Sequence, residues 1–453
     1  MQDAIVLGGG ISGLTTGYLL QQKGLNFSVI EKNPFPGGPI QSVFKDGFLV
    51  EKGPNSLLVS DPWIESFISD LGIGNEIIDS NPAAVNRYVV RNSQPIPVPI
   101  SPLQAITTRL FSLKAKFGFL GEPFRGRITE LGEESESVAD FVVRRMGSEF
   151  LDYAINPFVR GVYAGNPKQL ILNHAFPLMR ELEHEGGSLL RGAIKQKRRQ
   201  KIRGTAYKNR SINFINGLDT LPKTISRKLG NRLWLSSEVV AINPVENGWQ
   251  VTWKKEGENF EGFTRNLFVC LPSRSIKALN WASPISDWIA EAPDLPCPAV
   301  HSLALGYTRS DIAHPLNGFG VLVPSKEPHR ILGALFNSEL YPNRAPEDHC
   351  LLTVMLGGSQ NPELREAPDE ELLNIAKEDL ASLLGASADP VFVNLARWPY
   401  AIPQYTGAFG TWKKTIRSLE KDFLNLNFGG HAIDGIAMGA SIMSGKALSE
   451  RID

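Results

Sequence analysis

Ala4-Ile5-Val6-Leu7-Gly8-Gly9-Gly10-Ile11-Ser12-Gly13 is the stretch whose reading decides the fold. Four apolar residues in a row read as a strand buried on both faces, as in a parallel sheet. Gly8, Gly10 and Gly13 then fill the positions of a G-x-G-x-x-G turn. Leu14 to Lys23 reads as a helix, with Leu14, Tyr18 and Leu19 on its apolar side and Gly24 past its end. Phe27 to Ile30 reads as a second strand, closed by Glu31, 18 residues after Gly13. Each position has a mechanical reason. Gly8 permits a tight strand-to-helix turn, Gly10 lets a diphosphate approach the backbone, and Gly13 lets helix and strand pack closely. The helix start offers unpaired N–H groups to phosphate. A carboxylate at Glu31 can accept from ribose hydroxyls.

The chain has 453 residues, 42% of them hydrophobic and 21% charged. That profile predicts a globular protein of two or three domains. Lys plus Arg and Asp plus Glu each number 47, so no global field recruits nucleic acid. Cys270, Cys297 and Cys350 are odd in number, far apart and without a CxxC, so neither a disulfide framework nor a zinc site is expected. The seven histidines form no HxxxH or HxH pair, and no metal is expected. The first strand begins at about Ala4, so no secretory leader is expected. No run of about 18 apolar residues predicts a membrane-spanning helix. A cytoplasmic protein is expected, with attachment to the inner face of a membrane left open.

Farther along, Gly37-Gly38 follow the ribose acid by six residues, and Phe48 and Glu51-Lys52-Gly53-Pro54-Asn55-Ser56 come next. Phe214-Ile215-Asn216-Gly217-Leu218 with Leu221-Pro222, and Leu426-Asn427-Phe428-Gly429-Gly430 with Asp434 to Ala440, form two further blocks. Together these resemble the motifs of the flavin amine oxidase and protoporphyrinogen oxidase superfamily. The resemblance implies an α/β and α+β fold: a discontinuous Rossmann-type FAD-binding domain, a mixed-sheet substrate domain and a helical membrane-binding insertion. The expected division is 1–80, 205–275 and 405–453 for FAD, 85–205 for the helical insertion and 280–400 for substrate. Helical patterns run over Ser137 to Met146, Ser148 to Asn156 and Leu178 to Lys201. Strand patterns run over Ser302 to Tyr307, Gly320 to Pro324 and Leu351 to Leu356.

The resemblance implies FAD, held non-covalently. Its contacts would come from Gly8, Gly9, Gly10, Ile11, Ser12 and Gly13, then Glu31 and Lys32, then Gly37, Gly38 and Pro39. Gly53, Pro54, Asn55, Ser56 and Val239 would follow, and Gly430, His431, Ile436, Ala437 and Met438 would complete the set. The chain departs from the superfamily pattern at Asn216, which replaces a glycine. It departs again at Pro39, which stands where many members carry a basic side chain and cannot donate a hydrogen bond.

More specific blocks are Asn86-Arg87-Tyr88, Arg160-Gly161-Val162-Tyr163-Ala164-Gly165-Asn166, Gly318 to Pro324, Thr353 to Ser359 and Ile402-Pro403-Gln404-Tyr405. These resemble the protoporphyrinogen IX oxidases of haem synthesis. The resemblance implies that Arg87 pairs with a propionate. Phe319 would pack on a pyrrole ring, and Gly320, Leu322 and Met355 would lie beside it. Phe158 and Ile402 would line the same cavity, and Gly161 would border flavin and macrocycle. Asn55 stands where members carry either Asn or Arg, so the resemblance makes it a candidate for a second propionate contact without implying one. A large apolar macrocycle with carboxylates does need an apolar slot and a guanidinium fork.

The implied reaction is hydride loss from a methylene bridge to flavin N5, with O2 reoxidising the flavin to give hydrogen peroxide. Three rounds convert porphyrinogen to porphyrin, and no side-chain base is required. Coproporphyrinogen III oxidation, a flavin amine oxidase and a non-catalytic porphyrin or flavin carrier remain as alternatives. The expected partners are a porphyrinogen and O2. A membrane surface, the next enzyme of the haem pathway and a second copy of the chain are left open. Arg191, Lys195, Lys197, Arg198, Arg199, Lys201 and Arg203 form a basic run. Leu110, Phe111, Leu113, Phe117, Phe119, Leu120 and Phe124, with Lys114 and Lys116 between them, form an apolar one. Both suit a lipid face with anionic headgroups.

Overall fold

In the computed structural model, residues 1–126, 135–203 and 207–452 are described. The expected boundary at 205, residue 453 and the side chains of Lys201 and Arg203 lie outside the described residues.

The opening apolar run is fully buried within the strand Gln2–Leu7. It pairs in parallel with Phe27–Ile30 on one side, Ala4 opposite Phe27, and with the end of Glu258–Val269 on the other, Leu7 opposite Val269. Leu233–Trp234 and Leu426–Phe428 extend the parallel sheet at its two sides. A parallel sheet needs a cover on both faces, which is why these strands read as continuous apolar runs. The first half of Glu258–Val269 leaves this sheet as an antiparallel meander with Gly248–Lys255 and Ser237–Val245, making seven strands in all. Three distant parts of the chain thus supply one sheet.

A second seven-stranded sheet runs Phe392–Trp398, Val300–Thr308, His349–Gly357, Gly333–Phe336, Gly318–Leu322, Asn86–Arg91, Gln94–Pro97. Residues 86–97 therefore form two strands beside the later segment. The helix Asp369–Leu384 covers one face through Leu372, Ile375, Ala376 and Leu380.

Two helices differ from their sequence patterns. Leu178 to Lys201 does not form one helix. Pro177–Gly186 ends at Gly187, whose φ of 74° is left-handed, and Leu189–Arg203 folds back against it. Glycine adopts that conformation at no steric cost, so the Gly186-Gly187 pair ends the helix. A Cβ on Gly192 would lie 2.1 Å from Leu182 O, so the two helices cross at glycines. Ser148 to Asn156 continues past its expected end. Ser148–Phe150 runs into a π-helical turn, Leu151–Ile155, and then into Asn156–Tyr163, stopped by Ala164 at φ 49°. The C-terminal helix begins at Met438 rather than Asp434, because residues 431–434 form a turn first.

Among the described residues no helix is long and apolar enough to cross a membrane, and no cluster could hold a metal ion.

The helical region is joined by buried charges. Arg145 is fully buried and donates to Glu183 at 2.7 Å, to Arg125 O and to Gly187 O. Arg144 and Arg180 each reach both Glu136 and Glu183. Glu122 accepts from Leu189 N at 2.9 Å and so tops the last helix of the region. Burial raises the Glu183 carboxyl, but the hydrogen bonds and charges of Arg144 and Arg145 together outweigh it and hold the group below its ordinary 4.5. A carboxyl depressed on folding stabilises at neutral pH, and that stabilisation is lost as pH falls through the carboxylate range. Glu183→Ala should cost about 3 kcal/mol by taking from the buried Arg145 its closest carboxylate, with Glu122 left at 3.4 Å. A urea midpoint that falls at pH 7, with a smaller loss at pH 4, is the expected result. An unchanged midpoint contradicts the assignment.

Candidate active site

The helix Ile11–Gln22 starts immediately after the turn, and Gly10 precedes it in extended conformation with no side-chain cap. Gly8 sits at φ 103°, and a Cβ there would meet Cys270 O at 2.7 Å. A Cβ on Gly13 would lie 1.9 Å from Gly8 O. Around Gly10, by contrast, no atom lies within 4 Å of where a Cβ would stand. The turn is therefore tight on the protein side and open on the side of the free helix N–H groups, which fits a phosphate. Ile11 and Ser12 form the first turn of this helix and are buried.

Glu31 lies beside the turn. One carboxylate oxygen accepts from Gly9 N at 2.6 Å and the other from Asn33 N at 2.8 Å. A carboxylate has about four acceptor directions, so capacity remains for a ribose hydroxyl. Lys32 points elsewhere and pairs with Glu238 at 2.7 Å. Val239 stands at a bulge of the neighbouring strand Ser237–Val245, whose Ser237 N donates to Glu31 O.

The second glycine turn locks onto the first. Gly37 N donates to Gly9 O at 2.8 Å, and Gly10 and Gly37 pair as a parallel bridge. Gly38, at φ 60°, leaves the same side open, with only Gly10 Cα at 3.9 Å from a built Cβ. Pro39 is exposed, and its carbonyl would lie 2.2 Å from a Cβ on Gly53. Pro54 continues this loop half-buried. Asn55 O accepts from Asn213, and the Asn55 amide oxygen accepts from Asn337 at 2.8 Å, tying this loop to the end of the second-sheet strand Gly333–Phe336. Ser56 lies near the hydroxyl of Tyr341, which pairs with Ser211 Oγ at 3.1 Å.

Glu51, quoted above only as part of a block, organises this region. It is buried and accepts from Ser42 Oγ at 2.5 Å, Asn213 at 3.1 Å and Leu218 N at 2.9 Å. Burial raises its carboxyl, against the lowering effect of these bonds. Gly217, at φ 96°, has Ser42 Oγ 2.4 Å from where a Cβ would stand. An acid at the end of an apolar strand was the available signal.

The C-terminal motif closes over the same helix. Gly430, at φ 84°, lies beside Ser12, and its N–H donates to Ser444 Oγ at 2.8 Å. Ser444 in turn donates to Asp434. Burial holds the His431 imidazole below its usual range. Ala437 precedes the helix Met438–Ser449, and Ile436 N donates to the hydroxyl of Tyr405 at 3.1 Å. Burial pushes that phenol up to about 12, so it stays protonated and available to accept. The I-P-Q-Y block thereby pins the C-terminal motif, a role its spacing alone did not reveal.

Most residues expected at the slot converge. Leu322, Gly333 and Met355 are direct cross-strand partners and so share one face of the second sheet. The helix Asn156–Tyr163 lies across that face. A Cβ on Gly161 would come 2.4 Å from Leu322, and Phe158 and Val162 remain 42% and 43% exposed. Met355 and Ile402 pack in one cluster with Leu332 and Ala164. Gly320 pairs with Arg87 across a bulge that isolates Phe319, and a bulge re-aims the extra side chain. Arg87 stacks over the Phe319 ring at 5.4 Å and is otherwise exposed. Gln404 donates to Tyr163 O at 2.8 Å, joining two of the specific blocks.

Comparison with known proteins agrees with this geometry. The pattern of the flavin-containing amine oxidoreductases matches residues 11–453. Protoporphyrinogen oxidase 2 of Arabidopsis thaliana is 31% identical over 97% of this chain and 91% of its own length. The mitochondrial protoporphyrinogen oxidase of Nicotiana tabacum is 32% identical over 97% and 92%. The coproporphyrinogen III oxidase of Staphylococcus aureus is 24% identical over 100% and 99%. A crystal structure from Exiguobacterium, provisionally named a protoporphyrinogen oxidase, superposes with a TM-score of 0.80 at 20% identity, covering 100% and 98%. Cyclohexylamine oxidase from Brevibacterium oxydans gives 0.70 at 16%, covering 100% and 99%, which speaks to the fold alone. The chain belongs to the flavin-containing amine oxidoreductase family, alongside its protoporphyrinogen oxidases, and is an oxidoreductase whose cofactor is FAD.

Proposed function

We propose that this protein oxidises protoporphyrinogen IX to protoporphyrin IX, with O2 as the terminal acceptor. The observation that carries the reading is the Arg87–Phe319 pair at the rim of the row Leu322, Gly333 and Met355, with Phe158 and Gly161 opposite. When bound, FAD supplies a hydride acceptor that O2 can regenerate, giving peroxide. The glycine turns would hold its diphosphate and Glu31 its ribose, without a covalent link. Cys270 is half-buried, its thiol pushed up to about 12 by desolvation, and the C-terminal motif carries no cysteine.

The remaining work belongs to the slot. Arg87 would fix a propionate bidentately, while Phe319, Leu322, Met355 and Ile402 exclude water from the ring. Of the slot residues Arg87, Phe158, Gly161, Phe319, Leu322, Met355 and Ile402, Arg87 alone ionises. That suits a substrate whose own ring N–H groups supply protons. It also favours two carboxylates over the four of coproporphyrinogen III. The division into FAD segments 1–80, 205–275 and 405–453, insertion 85–205 and substrate part 280–400 belongs to the same proposal.

We extend the reading to a lipid surface. Leu113, Phe117, Leu120 and Phe124 are at least 66% exposed, and Leu103 and Ile106 stand beside them at 71% and 69%. Leu110, Phe111 and Phe119 instead pack inward, the two rings on Phe150. The exposed set, with Lys114 and Arg191 nearby, suits insertion among anionic headgroups.

Arg87→Ala should raise KM for protoporphyrinogen about thirtyfold, as about 2 kcal/mol of charged hydrogen bonding is lost, with FAD content unchanged. Porphyrin fluorescence and peroxide formation measure it. Equal wild-type turnover of coproporphyrinogen, or an unaffected Arg87→Ala enzyme, contradicts the substrate assignment. In flotation with phosphatidylglycerol vesicles at low salt, the wild type should rise and a Phe117→Ser/Phe124→Ser variant should stay behind. A wild type that remains at the bottom rules out the lipid contact.

A further inference from the structure

The helix over the slot meets the second sheet along a polar seam that the reaction itself does not use. Asp152, Asn156 and Arg160 are spaced four residues apart and so lie on one side of the helical segment. They meet the backbone and side chains of residues 323–326 in the opposite order. Lys326 donates to Asp152 at 2.9 Å, Ser325 N donates to the Asn156 amide oxygen at 2.8 Å, and Arg160 donates to Val323 O at 2.9 Å. Tyr153 adds a hydroxyl 3.5 Å from Glu327.

The seam is graded. Its outer pair is open to water, with Lys326 60% exposed, and such pairs contribute little. Its inner end is buried, with Asn156 at 7% and Arg160 at 2% exposure. Arg160 carries its charge inside, its Nε has no partner among the described residues, and burial lowers the guanidinium to about 10. The Asp379 carboxylate opposes that lowering only in part. That carboxylate is already held by Arg330 N, Ile331 N and His329. A buried cation with so little direct compensation is costly. A methionine would fill the space more cheaply if packing were the whole requirement.

We propose that Arg160, with Asn156, is a positioning residue that sets the distance between the slot helix and the strand Gly318–Leu322. Val323 directly follows Leu322, and Gly161 directly follows Arg160. The bond Arg160 to Val323 O therefore fixes the neighbouring pair, Gly161 on Leu322, to within a side-chain width. Asn156 and Arg160 are buried against residues 323–325, while Phe158 and Val162 on the same helix stay 42% and 43% exposed. The seam holds the helix closed on the strand at this pair, and so fixes the end of the slot beside which a flat ring must lie. The proposal rests on the porphyrinogen reading above and specifies how that site is dimensioned.

The test uses FAD-loaded full-length protein and the variants Arg160→Met, Arg160→Lys and Asn156→Ala. The readouts are kcat and KM for protoporphyrinogen IX, and the Kd of protoporphyrin IX for the oxidised enzyme by fluorescence quenching. The expected result is KM and Kd raised together by about tenfold in Arg160→Met, with kcat within a factor of about three. Partial recovery is expected in Arg160→Lys, which can still donate to Val323 O. Asn156→Ala should move in the same direction by less, and it keeps the test decisive if Arg160→Met fails to fold. A KM and Kd within twofold of wild type in the folded variants overturns the positioning role. So does a loss of kcat and thermal stability with binding untouched. Failure of the wild type to bind any porphyrin overturns the substrate reading, and this inference with it.

Discussion

The contact between Gly13 and Gly8 governs the geometry of everything built around it. With 1.9 Å between the carbonyl oxygen of Gly8 and the place a Cβ would occupy on Gly13, no side chain fits. That closeness lets the helix Ile11–Gln22 start directly at the strand end, so that its N–H groups open toward solvent at Gly10 rather than into protein. The second turn at Gly37, the carboxylate of Glu31 and the C-terminal turn at Gly430 all refer to that start. Gly37 reaches it through Gly9 O, Glu31 through Gly9 N and Gly430 through Ser12. The C-terminal helix then packs on it at the same short range, a Cβ on Gly445 falling 2.5 Å from Ser12 O. Residues more than 400 positions apart thereby close one nucleotide cradle.

From this cradle the chain builds outward to the slot by polar cross-links rather than by apolar packing alone. Asn55 bonds to Asn337, Tyr405 receives Ile436 N, and Gln404 bonds to Tyr163 O. Each joins segments that are distant in the sequence. Buried polar bonds of this kind fix orientation as well as contributing stability. They are suited to an enzyme in which proximity and alignment do most of the chemistry.

Much of the cradle was legible in the sequence because its signals are local. Strand, glycine turn, helix and acid follow within thirty-one residues, and each is forced by backbone geometry at its own position. The slot was legible only through resemblance, since Phe319, Leu322 and Met355 have nothing in their spacing that distinguishes a cavity wall from a core. The bulge that turns Phe319 toward Arg87 is a product of strand pairing and has no local mark. Glu51 and Tyr405 were quoted within blocks without roles, because their partners lie at Leu218 and Ile436. The long helix expected over Leu178 to Lys201 failed where Gly186-Gly187 could have signalled the break. A strong helical pattern on both sides concealed it.

The central physical claim is that the glycine turns hold the diphosphate of a dinucleotide, and titration of flavin-free protein tests it most directly. FAD and FMN share the isoalloxazine ring, but only FAD carries the diphosphate bridge and adenosine that the turns and Glu31 would engage. Flavin fluorescence quenching should show FAD binding at least about a hundredfold more tightly than FMN, a difference of roughly 3 kcal/mol. Equal affinity for the two would contradict the account, because binding would then reside in the ring alone.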